Sequence, residues 1–201
     1  MLFRSTLAGP AAIAQQTDVS LPGSLNTNRL LDSWVRIEAN GRITIFTGKC
    51  EIGQGIVTAL AQIAAEELGI AYDKVNVVSS DTAITPYDRS TGASRSTTVM
   101  GSAVKAAAAD LRKQLIDAAA ELFKTSTNTI TLNEGEAISD DKRASYAKIV
   151  SAYFGMPGGE LIGRGYMRPD GALGKTFPLF WETGMGAAKV AVDAETGAIK
   201  L

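Results

Sequence analysis

The chain reads as an α+β fold, mixed sheets with two main helices packed against them, and three features of the sequence predict it. Apolar residues alternate on either side of Asn40-Gly41, the signature of a β-hairpin. From Ile56 to Leu68 the apolar positions Ile56, Ala59, Leu60, Ile63, Ala64 and Leu68 recur at helical spacing and stop at Gly69. A second, alanine-rich segment from about Thr98 to Phe123 has high helix propensity and carries charge on one face. A chain of 201 residues is long enough to bury one good core.

Taken in order, residues 1–30 read as a flexible N-terminal arm. Ala12-Ile13-Ala14 suggests an export signal, but Gly9-Pro10 breaks its apolar stretch. Residues 31–201 read as one partial domain that is truncated at its C-terminus. Trp34, Val35 and Ile37 form the first strand and Ile43, Ile45 and Phe46 the second, which delivers the chain to Gly53-Gln54-Gly55. The helix follows, and Val75, Val77 and Val78 form a third strand, so this part is strand, helix, strand. Beyond the second helix, 129–132 and 137–138 read as a small hairpin around Asn133-Glu134-Gly135-Glu136, and 145–152 as a short helix. Pro157-Gly158-Gly159 breaks the chain before 160–167, which receives no element; 177–186 is a glycine- and aromatic-rich link, and 187–192 and 198–201 form a final strand pair.

Composition narrows the chemistry. Lys plus Arg is 20 and Asp plus Glu is 21, so no charge excess points to nucleic acid or an anionic membrane. Histidine is absent, which removes the commonest general base and the usual zinc and non-haem iron sites. The single cysteine, Cys50, allows no internal disulfide and fits a cytoplasmic, reducing location. It is expected to pack as a small hydrophobe at the strand end. No apolar run is long enough to span a bilayer. Redox chemistry would therefore come from a bound cofactor or another chain.

Two loops stand out. Gly53 and Gly55 lack a Cβ and allow a ligand close to the backbone, while the next helix aims its N-terminal N–H groups at the same place, an arrangement suited to an anion. Gln54 adds an amide that both donates and accepts. By itself a Gly-x-Gly reads first as a tight strand-to-helix turn, since the motif alone is weak. The second loop, Arg89-Ser90-Thr91-Gly92-Ala93-Ser94-Arg95-Ser96, is dense in hydroxyls and also meets a helix N-terminus. Two such loops suit one phosphorylated, heteroatom-rich ligand. Glu51 either orients the first loop or is a solvated carboxylate, and Arg89 and Arg95 either meet a phosphate or are solvated loop charges.

These stretches carry a resemblance. Gly48-Lys49-x-Glu51-x-Gly53-Gln54-Gly55 with Thr58 to Leu68 resembles the molybdopterin-binding subunit of the xanthine dehydrogenase and aldehyde oxidase family of molybdenum hydroxylases. Asp81-Thr82, Thr91 to Ser96 ending at Gly101, Gly163-x-Gly165-Tyr166-x-Arg168-Pro169, Glu182-x-Gly184-x-Gly186-Ala187-Ala188 and Val192-Asp193-x-Glu195-Thr196-Gly197 agree in the same order. The resemblance implies a part in hydroxylating an aldehyde or N-heterocycle with water-derived oxygen. It also implies a molybdopterin cofactor, in plain or dinucleotide form. Gly53, Gln54 and Gly55 match cofactor-contacting positions, Thr91, Ser94 and Ser96 match hydroxyls around the pterin and its phosphate or nucleotide tail, and Gly92 and Ala93 match backbone near the metal and substrate.

The departures from the family pattern are equally specific. The family's catalytic subunit is several times longer, its general-base glutamate has no counterpart here, and there is no cysteine cluster for iron–sulfur. No catalytic or metal-ligating residue is assigned, and Glu182 aligns with no family base. The implied partners are the remaining molybdopterin-domain segment or chain and iron–sulfur and FAD subunits, those two cofactors residing on partner chains only. A second reading is a non-catalytic or truncated subunit that binds a partner chain without cofactor.

Overall fold

A computed structural model describes residues 31–88, 91–92, 94–155, 158–167 and 184–201. The expected N-terminal arm, Arg89, Ala93 and Glu182 lie outside these residues. In chain order the elements are β1 (Leu31–Glu38), β2 (Ile43–Thr47), α1 (Ile56–Leu68), β3 (Val75–Ser79), α2 (Ser96–Phe123), β4 (Thr131–Asn133), β5 (Glu136–Ser139), β6 (Lys142–Ser145), α3 (Tyr146–Phe154), β7 (Glu160–Met167), β8 (Ala191–Val192) and β9 (Ile199–Lys200). The chain is α+β, as the sequence predicts.

The Asn-Gly turn closes the first hairpin: the Asn40 side chain accepts from the Arg42 N–H at 2.8 Å, and Gly41 takes φ 84°, which glycine adopts without a Cβ penalty. β2, α1 and β3 then form a parallel crossover, with Ile43 opposite Val75 and Thr47 opposite Ser79. Gly69 ends α1 in a left-handed cap whose N–H bonds back into the last turn.

The main sheet has the order β3-β2-β1-β7, with β7 antiparallel to β1. Residues 160–167, left without an element by the sequence, are therefore a full edge strand. Their inward positions are Leu161, Gly163 and Gly165, and two glycines in three hide the alternation that marks a half-buried strand. Tertiary structure supplies the reason for them. A Cβ on Gly163 would run into Ala107 O and Leu111, and one on Gly165 into Ala103 O and Ala107 N, because α2 lies directly on β7. The buried alanines of α2, Ala103, Ala107 and Ala108, allow the same close approach from the helix side.

Val35, Ile37, Ile43 and Ile45 bury the inner face of the sheet against Ile56, Leu60, Ala64 and Leu68 of α1 and Met100, Val104, Leu111 and Leu115 of α2. Each such side chain contributes roughly 1.5–3 kcal/mol of burial. The meander β4-β5-β6 attaches at the far end, where the Tyr146 hydroxyl donates to Leu68 O at 2.5 Å and the Lys142 ammonium donates to the last carbonyl of α2, Phe123 O, at 2.7 Å. β6 is a further strand beyond the expected hairpin. Ser145 ends it and caps α3 by accepting from the Lys148 N–H. The final pair, β8 with β9, spans two residues each, shorter than expected, and the Asp193 carboxylate organises its turn by accepting from the backbone of Glu195 and Thr196.

At the carboxyl ends of β2 and β3, a buried ion pair joins the outgoing chains. Lys49 Nζ lies 3.2 Å from Asp88 Oδ1, with side-chain exposures of 2% and 0%. A Cβ on Gly48 would lie 2.6 Å from both Pro86 O and Asp88 Cβ, so only glycine lets these two backbones meet.

Two stability predictions follow from this packing. Gly165→Ala should destabilise the chain by about 3 kcal/mol, since the helix backbone cannot yield to the added methyl; a urea midpoint matching wild type would contradict the close packing. Lys49→Met should destabilise the chain by about 3 kcal/mol by removing a buried partner of the Asp88 carboxylate, while Lys49→Met with Asp88→Leu should recover part of that loss. Equal losses in the single and double variants would argue against a coupled pair.

Candidate functional site

The parallel crossover decides where the two loops lie. β2 and β3 run in the same direction, so residues 48–55, leaving β2, and residues 80–88, leaving β3, emerge from one edge of the sheet. In open α/β arrangements this carboxyl edge is where ligands gather. α2 starts from the same edge, because its first turns lie against the Gly165 end of β7, which pairs with the start of β1.

Within the first loop, the Glu51 carboxylate is the organising group. Oε1 accepts from the N–H groups of Gly53 and Gly55, each at 2.9 Å, and Oε2 accepts from the Val57 N–H at 3.1 Å. The two glycines take φ 98° and 77°, values strained for any side-chain-bearing residue. The amides of Val57 and Gly55, followed by those of Gly53 and Gln54, hold the Glu51 carboxyl below its ordinary value of 4.5. Of the two sequence readings of Glu51, the loop-orienting one is realised. The anion position at the N-terminus of α1 is taken by the protein's own carboxylate, so this helix end is not an open phosphate site. Sequence spacing could not reveal that, because Glu51 is recruited by the curl of the loop back onto it.

Gln54 is exposed. Its carbonyl accepts from the Ile52 N–H at 2.7 Å and its amide donates to Cys50 O at 3.0 Å. One N–H and one lone pair remain for a ligand. Cys50 is also exposed rather than packed as a small hydrophobe; its thiol accepts from the Ser80 hydroxyl at 3.2 Å, because the strand ends at Thr47 before reaching it.

The second loop is tied to the first. The Thr91 hydroxyl donates to Cys50 O at 2.9 Å, and Ser80 donates to Lys49 O at 3.3 Å. Gly92 and Ser94 are exposed, Ser94 at φ 50°, whereas Ser96 opens α2 with its side chain buried. Among the described residues no side chain caps the N-terminus of α2, whose first-turn N–H groups are donors for an anion. Arg95 occupies the N-cap position there. The structure thus brings Gly53, Gln54, Gly55, Thr91, Gly92 and Ser94 to one edge. Lys49, Glu51, Ser80 and Asp88 join them as supports that pattern reading left unassigned or undecided.

Whether these residues suit a molybdopterin is testable on the backbone. Among the described residues a Cβ built on Gly53, Gly55 or Gly92 meets nothing within 4 Å. A flat, polar, anionic group therefore has room and finds hydroxyls, a half-free amide and an uncapped helix end. Among the described residues no three His, Cys, Asp or Glu side chains form a metal cluster. No described helix is long and apolar enough to cross a membrane.

Comparison with known proteins agrees with this geometry. Residues 9–201 match the family model described as the molybdopterin cofactor-binding domain. Over 120 residues the chain is 35% identical to the 6-hydroxypseudooxynicotine dehydrogenase complex subunit gamma of Paenarthrobacter nicotinovorans, covering 59% of this chain and 15% of that protein. Over 172 residues it is 31% identical to a probable hypoxanthine oxidase of Escherichia coli K12, covering 83% and 17%. Among solved structures it is similar to the CO dehydrogenase of Oligotropha carboxidovorans, with 27% identity, a TM-score of 0.60 and coverage of 70% and 18%. It is also similar to quinoline 2-oxidoreductase of Pseudomonas putida 86, with 26% identity, a TM-score of 0.59 and coverage of 69% and 19%. The chain spans 15–17% of the length of the two relatives named first. It belongs to the molybdopterin cofactor-binding domain family.

Proposed function

We propose that this chain supplies two cofactor-holding loops of a molybdenum hydroxylase large subunit acting on an aldehyde or an N-heterocycle. The observation that carries the proposal is the edge where Gly53, Gly55 and Gly92 present open backbone while Thr91 ties one loop to the other. Relatives named for hypoxanthine and quinoline support the N-heterocyclic end of that range.

The bound group would supply the redox chemistry, taking two electrons from a substrate carbon whose new oxygen derives from water. This chain's residues hold that group. Gln54 offers its remaining N–H and lone pair, and Gly53 and Gly55 keep the backbone clear on either side of it. Thr91 and Ser94 would face the pterin and its phosphate or nucleotide tail, with the amides of the first turn of α2 beside them; Ser96, whose side chain is buried, would contribute through its backbone, and Gly92 would lie near the metal, as would Ala93 by the family resemblance. Proton abstraction is left to a glutamate on another segment of the assembly, and electron exit to iron–sulfur and FAD partners. A cytoplasmic setting would keep Cys50 reduced.

Two measurements test this reading. The chain co-expressed with its neighbouring gene products should copurify with near-stoichiometric molybdenum and yield a fluorescent pterin on oxidation. Metal-free chain in an otherwise complete complex would overturn the reading and leave a partner-binding role. Gln54→Ala should weaken cofactor retention by about 1–3 kcal/mol, read as molybdenum lost during dialysis; unchanged occupancy would remove Gln54 from the site.

A further inference from the structure

We propose that Glu51 is the positioning residue of the site: its carboxylate is the resident anion of the first loop and sets the Gly-Gln-Gly backbone before any cofactor arrives. The proposal rests on the cofactor-holding reading above and goes beyond it by assigning a role to a residue that would not touch the cofactor.

The geometry is unusually complete for an exposed side chain. Three N–H groups of the turn and of the first turn of α1 converge on the two carboxylate oxygens within 3.1 Å. Such a carboxylate does for a helix end what a bound phosphate would do, satisfying orphan donors and opposing the positive end of the dipole. Gly55 is the N-cap of α1 in a left-handed conformation, and its side-chain-free position cannot cap the helix itself. Glu51 reaches across from four residues earlier to do so. With Gly53 and Gly55 held, Gln54 is fixed between two immobilised peptides, its amide bridging Ile52 N and Cys50 O. The loop therefore meets its ligand without an ordering cost.

Anions are directed elsewhere by the same contact. A phosphate approaching α1 would meet a negative charge and occupied amides, whereas among the described residues no side chain caps α2. The amides of Val57 and Gly55 lower the Glu51 carboxyl most, against an opposing desolvation, so its ionisation is coupled to the loop backbone. Because its folded value is depressed, its hold on the loop is complete above the ordinary value of 4.5 and is lost as pH falls through the lower one.

The test uses the full ¹⁵N-labelled chain. In wild type the Gly53 and Gly55 amide protons should titrate together, with one midpoint below 4.5, while the Val35 and Ile45 amides of the sheet stay fixed. Glu51→Gln should abolish that titration and speed hydrogen exchange at both glycines by about tenfold or more, with Glu51→Asp intermediate. In the co-expressed complex Glu51→Gln should also lose about tenfold in molybdenum retention. If Glu51→Gln fails to fold, the wild-type titration decides alone. Glycine amides that ignore acid, or that exchange alike in wild type and Glu51→Gln, overturn the proposal and leave the cofactor reading intact. Absence of molybdenum from the wild-type complex overturns the cofactor reading, and with it Glu51's role toward a cofactor, whatever the amides report.

Discussion

The buried Lys49–Asp88 pair is the contact on which the geometry of the candidate site depends. Removing two charges from water is costly, and their mutual attraction offsets the cost only when geometry holds them together. The pair therefore joins two chain segments that leave different strands. Gly48 makes the joint possible by admitting the 86–88 backbone to contact distance. Thr91 and Ser80 then add direct hydrogen bonds between the loops, so the two loops behave as one surface.

That surface is reached through a hierarchy of small residues. Gly163 and Gly165 let α2 lie on β7, the alanines of α2 let both helices lie close to the sheet, and this packing brings the start of α2 to the edge from which the loops emerge. Each step removes side-chain bulk to shorten a distance. Close packing of this kind leaves little freedom for the helix ends, which is what a site assembled from backbone groups requires. The opposite face of the sheet is of another character: Arg36 lies 4.8 Å from the Phe46 ring centroid and bridges Glu38 and Glu160, and Arg164 lies over Trp34.

The two helix ends at the site are electrostatically unlike. α1 carries its own anion in Glu51, and among the described residues α2 carries none. A sequence with two small-residue loops before two helices invites reading both as phosphate sites. The structure distinguishes them: the amides at the start of α1 are taken by Glu51, and no described side chain takes those of α2.

Much of the architecture was legible in the chain alone, for identifiable reasons. Asn40-Gly41 between alternating runs specifies a hairpin through its own turn chemistry, and Ile56 to Leu68 specifies a helix through its period and its stop at Gly69, so both are local properties. The Gly-Gln-Gly stretch, the hydroxyl loop and their family resemblance were likewise readable as ordered residue patterns. β7 was not, because its inward glycines answer to the surface of α2, some sixty residues earlier in the chain. Nor were the exposure of Cys50, the burial of Lys49 against Asp88, or the choice of Glu51 as the cap of α1, since each depends on where a distant segment or a curled loop returns. Local order in this protein is set by residues and their neighbours in sequence. The site is set by which backbones are permitted to touch, and only the tertiary structure decides that.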